Sequence, residues 1–235
     1  MAAILETTDL RSGYATGDVL QGVSVAIDEH EIVGVLGRNG VGKSTLMRTL
    51  VGLLRTRHGR ITFQGNDVSH EPAYKRARRG VGYVPQGREV FPDMSVEDNL
   101  RMGTFINERH RQPDLDLVHG YFPFLRERRR QKAGTLSGGQ QEMLAIARAL
   151  VNSPGLLLLD EPSDGVQPSI VEEIGDIIVD LNSSRRLPVL IVEQNIDLIQ
   201  KVAMRAYVLD KGRVVRTLDK NEIENTDRLA EFLAI

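Results

Sequence analysis

The chain has 235 residues, room for one large domain or a core with a subdomain. Its 30 basic and 32 acidic residues leave a formal charge of -2, which excludes a global field drawing it to nucleic acid or to an anionic bilayer. Cysteine is absent, so disulfides, thiolate metal sites and a cysteine nucleophile are excluded as well.

The opening MAAILETTDLRSGY carries early acidic residues and no sustained apolar stretch, so it does not read as a secretory signal. The first thirty residues place Ile4, Val19, Leu20, Val23, Val25 and Ile27 in alternation with polar positions, the pattern of a small antiparallel sheet. Glu31 to Leu36 reads as a β-branched strand running into a glycine loop, and Lys43 to Leu54 as a helix with Leu46, Met47, Leu50, Val51 and Leu54 on one face. From about Gly87 to Lys132 the chain is charged and lacks buried-strand runs. SVEDNLRM there gives a capped helix start at Ser95, and the segment reads as a helical insert. Helix is expected again over Gln140 to Leu150, Ser169 to Leu181 and Asn195 to Val202, with strands at Leu156 to Leu159, Val189 to Val192 and Ala206 to Leu209. The uninterrupted LLLL run is the signature of a strand buried on both faces, so the core is a parallel α/β sheet. We expect one domain over 1–235 with the helical subdomain at approximately 87–150. The longest apolar runs fall far short of the roughly 20 residues that span a bilayer. Any transport role would therefore fall to a separate membrane protein.

The chemistry lies in three runs. GRNGVGKST has the spacing G-x-x-x-x-G-K-S between a strand and a helix, so its backbone N–H groups can converge on phosphate oxygens at a helix N-terminus. Gly37, Arg38, Asn39, Gly40, Val41, Gly42, Lys43, Ser44 and Thr45 are the expected cradle, with Lys43 supplying charge and Ser44 a hydroxyl for Mg²⁺. The bland reading is a glycine turn capped by Ser44. Asp160 and Glu161 close the apolar strand at its carboxyl end, where ligands sit in open parallel sheets. Asp160 would hold the metal and Glu161 would deprotonate the water attacking the γ-phosphate, against the plainer reading of a loop cap. LSGGQ holds Ser137 and Gln140 at capping-box spacing. Two glycines in a first turn cost roughly 1 kcal/mol each relative to alanine, which makes sense if a phosphate must approach closely. The basic clusters Lys75, Arg76, Arg78, Arg79 and Arg126, Arg128, Arg129, Arg130, Lys132 read as solvated faces, since no aromatic stacking set accompanies them. No nucleic-acid partner is expected.

These runs in this order, with YVPQ at Tyr83 to Gln86 between them, resemble the ATP-binding subunit of an ATP-binding cassette (ABC) transporter over nearly the whole chain. The resemblance implies a P-loop NTPase core and ATP with Mg²⁺ as ligands. It also implies a head-to-tail dimer in which Ser137, Gly138, Gly139 and Gln140 of one subunit complete the site formed by Lys43, Ser44, Asp160 and Glu161 of the other. Tyr14 would stack on adenine. Gln86 would touch Mg²⁺ and the attacking water, and its loop would meet the membrane subunit. GRNGVGKS, YVPQGREVFPDMSVEDNL, EPSDGVQPSI and IVEQN are similar, more narrowly, to ATPases of branched-chain amino acid importers and most to their urea and short-amide branch. That likeness implies a peripheral protein on the cytoplasmic face of the inner membrane, with a non-identical partner ATPase, two permease subunits and a periplasmic or extracellular solute-binding protein. Gln194 stands where most of the superfamily has a histidine at the γ-phosphate, and Gln167 stands near the place of a usual aspartate. An amide donates a hydrogen bond but carries neither proton nor charge. An exporter of lipid or lipopolysaccharide, and a soluble ABC protein acting on ribosomes or DNA, remain open as alternatives.

Overall fold

The computed structural model describes residues 3–105, 113–225 and 229. The expected helical subdomain and the 1–235 domain extend over 106–112, and the domain over 1–2, 226–228 and 230–235, which lie outside the described residues. Strand β1 (Ala3–Tyr14) pairs antiparallel with β2 (Gly17–Val23) and β3 (Ala26–Asp28). Strand β4 (Ile32–Leu36) runs into the glycine loop and α1 (Lys43–Leu50), after which β5 (His58–Phe63) and β6 (Asn66–Asp67) return to the first sheet. Helix α2 (Ala73–Arg78) leads to β7 (Val81–Val84), followed by α3 (Val96–Thr104), α4 (Leu115–Tyr121), α5 (Pro123–Glu127) and α6 (Gly138–Leu150). The chain then runs β8 (Leu156–Asp160), α7 (Pro168–Arg185), β9 (Val189–Glu193), α8 (Ile196–Val202), β10 (Arg205–Asp210), β11 (Arg213–Leu218) and α9 (Lys220–Glu224).

The second sheet has the order β11-β10-β4-β9-β8-β7 and is parallel except for β11. The expected α/β architecture, a mainly parallel sheet with an N-terminal antiparallel sheet, is present. Alternate residues of β8 explain the unbroken leucine run. Leu157 and Leu159 face a core built with Met143, Ile146 and Ile178, whereas Leu156 and Leu158 face a second core with Leu46, Leu50, Ile61 and Phe63. All four leucines are fully buried. Each such side chain contributes on the order of 2 kcal/mol, so α6 and α7 are held to one face and α1 with the first sheet to the other.

Five elements differ from expectation. The helix over Lys43 to Leu54 ends at Leu50, because Gly52 takes the left-handed φ of 82° and Leu53 N turns back to Arg48 O at 2.9 Å. Arg76 Nη1 then satisfies the orphan carbonyls of Thr49 and Leu50 with 2.8 Å hydrogen bonds. Arg76 also donates to Glu71 O and Ser69 O, so it is buried and is not part of a solvated basic face as the cluster suggested. Helix α7 runs to Arg185, one turn past the expected end, and closes on Arg186 at φ 56°. Strands β5, β7 and β11 carry weak signals and were not anticipated. The start at Ser95 is as expected, its side chain accepting from Asp98 N at 3.1 Å.

Candidate functional site

Strand β4 delivers the glycine loop to the carboxyl edge of the parallel sheet. A Cβ on Gly37 would meet Leu209 O at 2.5 Å, so only glycine lets the loop leave β4 there. Gly42 caps α1 with φ 114° and offers no side-chain cap, leaving the first N–H groups of the helix unclaimed by a side chain. Lys43 is almost fully buried. Its Nζ donates to Gly37 O at 2.8 Å and Arg38 O at 3.1 Å, and pairs with Glu161 Oε1 at 2.9 Å.

Asp160 ends β8 and Glu161 begins the loop after it. Glu161 takes the left-handed φ of 51°, with its N–H bonded to Val192 O at 2.9 Å, and this turn sends its carboxylate to Lys43. Three further contacts converge on that carboxylate. Gln86 Nε2 donates to Oε2 at 2.9 Å, and Gln194 Nε2 lies 3.5 Å from both oxygens. Gln86 also reaches Asp164 Oδ2 at 3.2 Å. Asp160 accepts from Ser44 Oγ at 3.2 Å and from Tyr83 OH at 3.3 Å. Burial pushes Asp160 up to about 6, against the pull of the Ser44 hydrogen bond. Burial, with Asp160 beside it, raises the Tyr83 hydroxyl, so Tyr83 remains a donor. Ser44 and Asp160 thus present adjacent oxygen donors of the hard type that Mg²⁺ takes, and a cation would relieve the desolvated carboxylate.

The cleft formed here is about 310 Å³ and is lined by Tyr14, Asn39, Lys43, Ser44, Gln86 and Glu161 among others. Tyr14, at the end of β1, is 40% exposed at its mouth, and its hydroxyl accepts from Arg48. Gly40, Gly42 and Thr45 line it too, while Gly37, Arg38 and Val41 form the loop behind. Ser137, Gly138, Gly139 and Gln140 do not line this cleft. They open α6, where Ser137 and Gln140 form a true capping box, Ser137 Oγ accepting from Gln140 N at 3.4 Å and Gln140 Oε1 from Ser137 N at 3.2 Å. Gln167 is the exposed N-cap of α7 and makes no side-chain cap bond.

Sequence reasoning missed Glu193. This buried carboxylate accepts from Ser163 N at 2.8 Å, Gln194 N at 3.0 Å and Asn195 N at 3.2 Å. Burial raises it and those three N–H groups draw it back, so one side chain fixes both loops that flank Glu161. Its place at the carboxyl end of β9, next to the end of β8, was the available signal.

Comparison with known proteins agrees with this geometry. A family model described as ABC transporter matches residues 20–164. The high-affinity branched-chain amino acid transport ATP-binding protein BraG of Pseudomonas aeruginosa is 45% identical over 203 residues, covering 86% of this chain and 87% of that one. The lipopolysaccharide export system ATP-binding protein LptB of Haemophilus influenzae is 35% identical over 233 residues, covering 97% and 95%. A solved ATP-binding cassette of an ABC transporter in its ADP conformation superposes with a TM-score of 0.84 at 25% identity, covering 99% of this chain and 98% of that one. With glycine loop, paired carboxylates and glycine-opened helix set on this sheet, the chain belongs to the ABC transporter family as an ATP-binding cassette, an ATPase coupled to transport.

Proposed function

We propose that the chain is the ATP-hydrolysing subunit of an importer, powering uptake of branched-chain amino acids or of urea and short amides through separate membrane subunits. The observation that carries the hydrolytic reading is the convergence of Lys43, Gln86 and Gln194 on the Glu161 carboxylate in the cleft. The importer reading is supported by the 45% identity to BraG.

Adenine stacks on Tyr14, and the phosphates lie along residues 37–45, with Lys43 turning from its own loop carbonyls to the β and γ oxygens. Ser44, Asp160 and Gln86 would hold Mg²⁺, which would supply positive charge to neutralise those oxygens. Glu161 takes a proton from the attacking water, whose oxygen bonds to the γ phosphorus as the bond to the β-phosphate oxygen breaks, giving ADP and phosphate. Gln194 donates an amide hydrogen bond beside that base. The absence of Ser137 to Gln140 from the cleft lining supports a dimer in which they complete the partner's site. That partner is a non-identical ATPase carrying the histidine that this chain replaces with Gln194. Equal hydrolysis per site by the homodimer and the mixed pair would count against this asymmetry.

A second, larger groove of about 510 Å³ runs beside edge strand β7 and the end of α6, lined by Arg78, Arg79, Phe91, Arg148 and Asn152 among others. Arg148 Nη1 and Asn152 Oδ1 are buried there without a hydrogen-bond partner among the described residues, which supports its use as the permease-facing surface. No described helix is long and apolar enough to cross a membrane. We therefore read the chain as peripheral, at the cytoplasmic face of the inner membrane, with two permease subunits and an external solute-binding protein. The 35% identity to LptB favours, as the second reading, a motor that extracts lipopolysaccharide. Uptake of labelled branched-chain amino acids and urea in a deletion strain tests the choice. Loss of one of these activities is expected, and intact uptake with a defective outer membrane would overturn the importer reading.

A further inference from the structure

Arg88 lies two residues past Gln86, in a stretch where Gly87, Arg88 and Glu89 have φ of 88°, 72° and 40°. Consecutive left-handed residues with side chains persist only where the surroundings over-determine them, so contacts must hold this bend. Two are visible. Arg88 Nη2 donates to Gly165 O at 2.9 Å, in the loop that follows Glu161. The same guanidinium lies flat on Gly138, the first residue of α6, where an added Cβ would come within 2.9–3.0 Å of Nη1, Cζ and Nη2. One turn further along α6, Glu142 is buried, and Arg88 is the cation that acts on it. Meanwhile Gln86, on the same loop, grips Glu161 and Asp164. The loop after β7 therefore ties the glycine-rich start of α6 to the segment 161–165, once through a glycine face and three times through hydrogen bonds.

We propose that Arg88 is a positioning residue for ATP hydrolysis, setting the first turn of α6 against the 161–165 loop so that both phosphate-directed elements keep one relative placement; this rests on the hydrolytic reading of the cleft. The planar fork suits the task. A guanidinium can cover a glycine with its plane and donate from its edge at once, whereas an ammonium reaches a single acceptor. Arg88 bonds to Gly165 O, whereas Lys43 is held by Gly37 O, Arg38 O and Glu161, so nucleotide affinity should depend on Lys43 and not on Arg88.

The test uses the full chain assembled with its partner ATPase, comparing wild type, Lys43→Ala, Arg88→Ala and Arg88→Lys in ATP hydrolysis, with ATP affinity and melting temperature measured on each. Misplacing reacting groups by a fraction of an ångström to an ångström costs on the order of ten- to a hundredfold in rate. Arg88→Ala is expected to lower kcat by that factor with KM for ATP and the melting temperature nearly unchanged, and Arg88→Lys to fall between it and wild type. An active wild type with kcat preserved in Arg88→Ala overturns the role of Arg88 alone. So does a loss of kcat matched by an equal loss of affinity or of melting temperature, and full recovery in Arg88→Lys, which would reduce the role to charge. A wild type that hydrolyses no ATP, like Lys43→Ala, overturns the hydrolytic reading and the role of Arg88 with it.

Discussion

Two helices of this chain begin with glycine-rich turns, yet their N-termini are built in opposite ways. Helix α1 has no side-chain cap, starts at a left-handed glycine and carries a buried cation in Lys43. Helix α6 is closed by its own capping box, is roofed by Arg88 and carries a buried acid in Glu142. On the reading proposed above, the first is an anion receptor, its leading N–H groups left unclaimed by any side chain. The second is self-satisfied, so in the proposed dimer a phosphate arriving from the other subunit would compete with Ser137 and Gln140 for the same N–H groups. Glycine content alone does not distinguish the two. The residue that follows the glycines does, lysine in one case and glutamine in the other.

Substitutions at the two ends should separate these roles, beginning with the base proposed at Glu161. Glu161→Gln should keep ATP binding and lose on the order of a hundredfold or more in hydrolysis, as removal of a general base does; normal turnover in a steady-state phosphate-release assay would refute the assignment. Lys43→Ala should weaken ATP binding by roughly ten- to a hundredfold, since charge-assisted hydrogen bonds contribute about 1.5–3 kcal/mol. It also strands the buried Glu161 carboxylate, so calorimetry should report a lower melting temperature alongside the weaker titration. At the other helix, Ser137→Ala should leave binding by the isolated chain intact and cost about 1 kcal/mol of stability. An equal loss of ATP affinity in the isolated chain would mean the two helix starts serve one site in cis.

The smallest effect concerns Glu142. Burial pushes its carboxyl up to about 8 from an ordinary 4.5. Its folded value lies above its unfolded one, so the stability of the protonated form is complete below about 4.5 and is lost as pH rises through about 8. Glu142→Gln should therefore melt higher than wild type at pH 8 and lose that advantage toward pH 4.5. A pH-independent difference would place the acid outside the folded-state balance.

How much of this was legible follows from the range of the forces involved. Leu156 to Leu159 announce a doubly covered strand because burial on both faces writes itself into consecutive residues. The glycine loop is legible for a related reason, since backbone donors, lysine and hydroxyl must lie within one turn. The early end of α1 is legible in part, since Gly52 stands two residues past it in the left-handed conformation. The second support of that end is not: Arg76, 26 residues from Leu50, has a guanidinium that looks in sequence like any member of a basic cluster. Strand β7 escapes notice because it is short, holds Gly82 and lies at the sheet edge, where only part of it is buried. Arg88 and Glu193 likewise act on segments 77 and 30 residues away, and no local periodicity records such contacts.

Arg76 has one more consequence, for behaviour in salt. Exposed pairs such as Arg57 with Asp18 and Arg101 with Glu97 sit in water, where added ions screen them within a Debye length of about 10 Å at 0.1 M. Arg76 is different. Its charge, drawn down to about 10 by burial, is held chiefly by the carbonyl oxygens of Glu71, Ser69, Thr49 and Leu50, out of reach of mobile ions. The far end of α1 is thus anchored by an attachment that brine does not loosen.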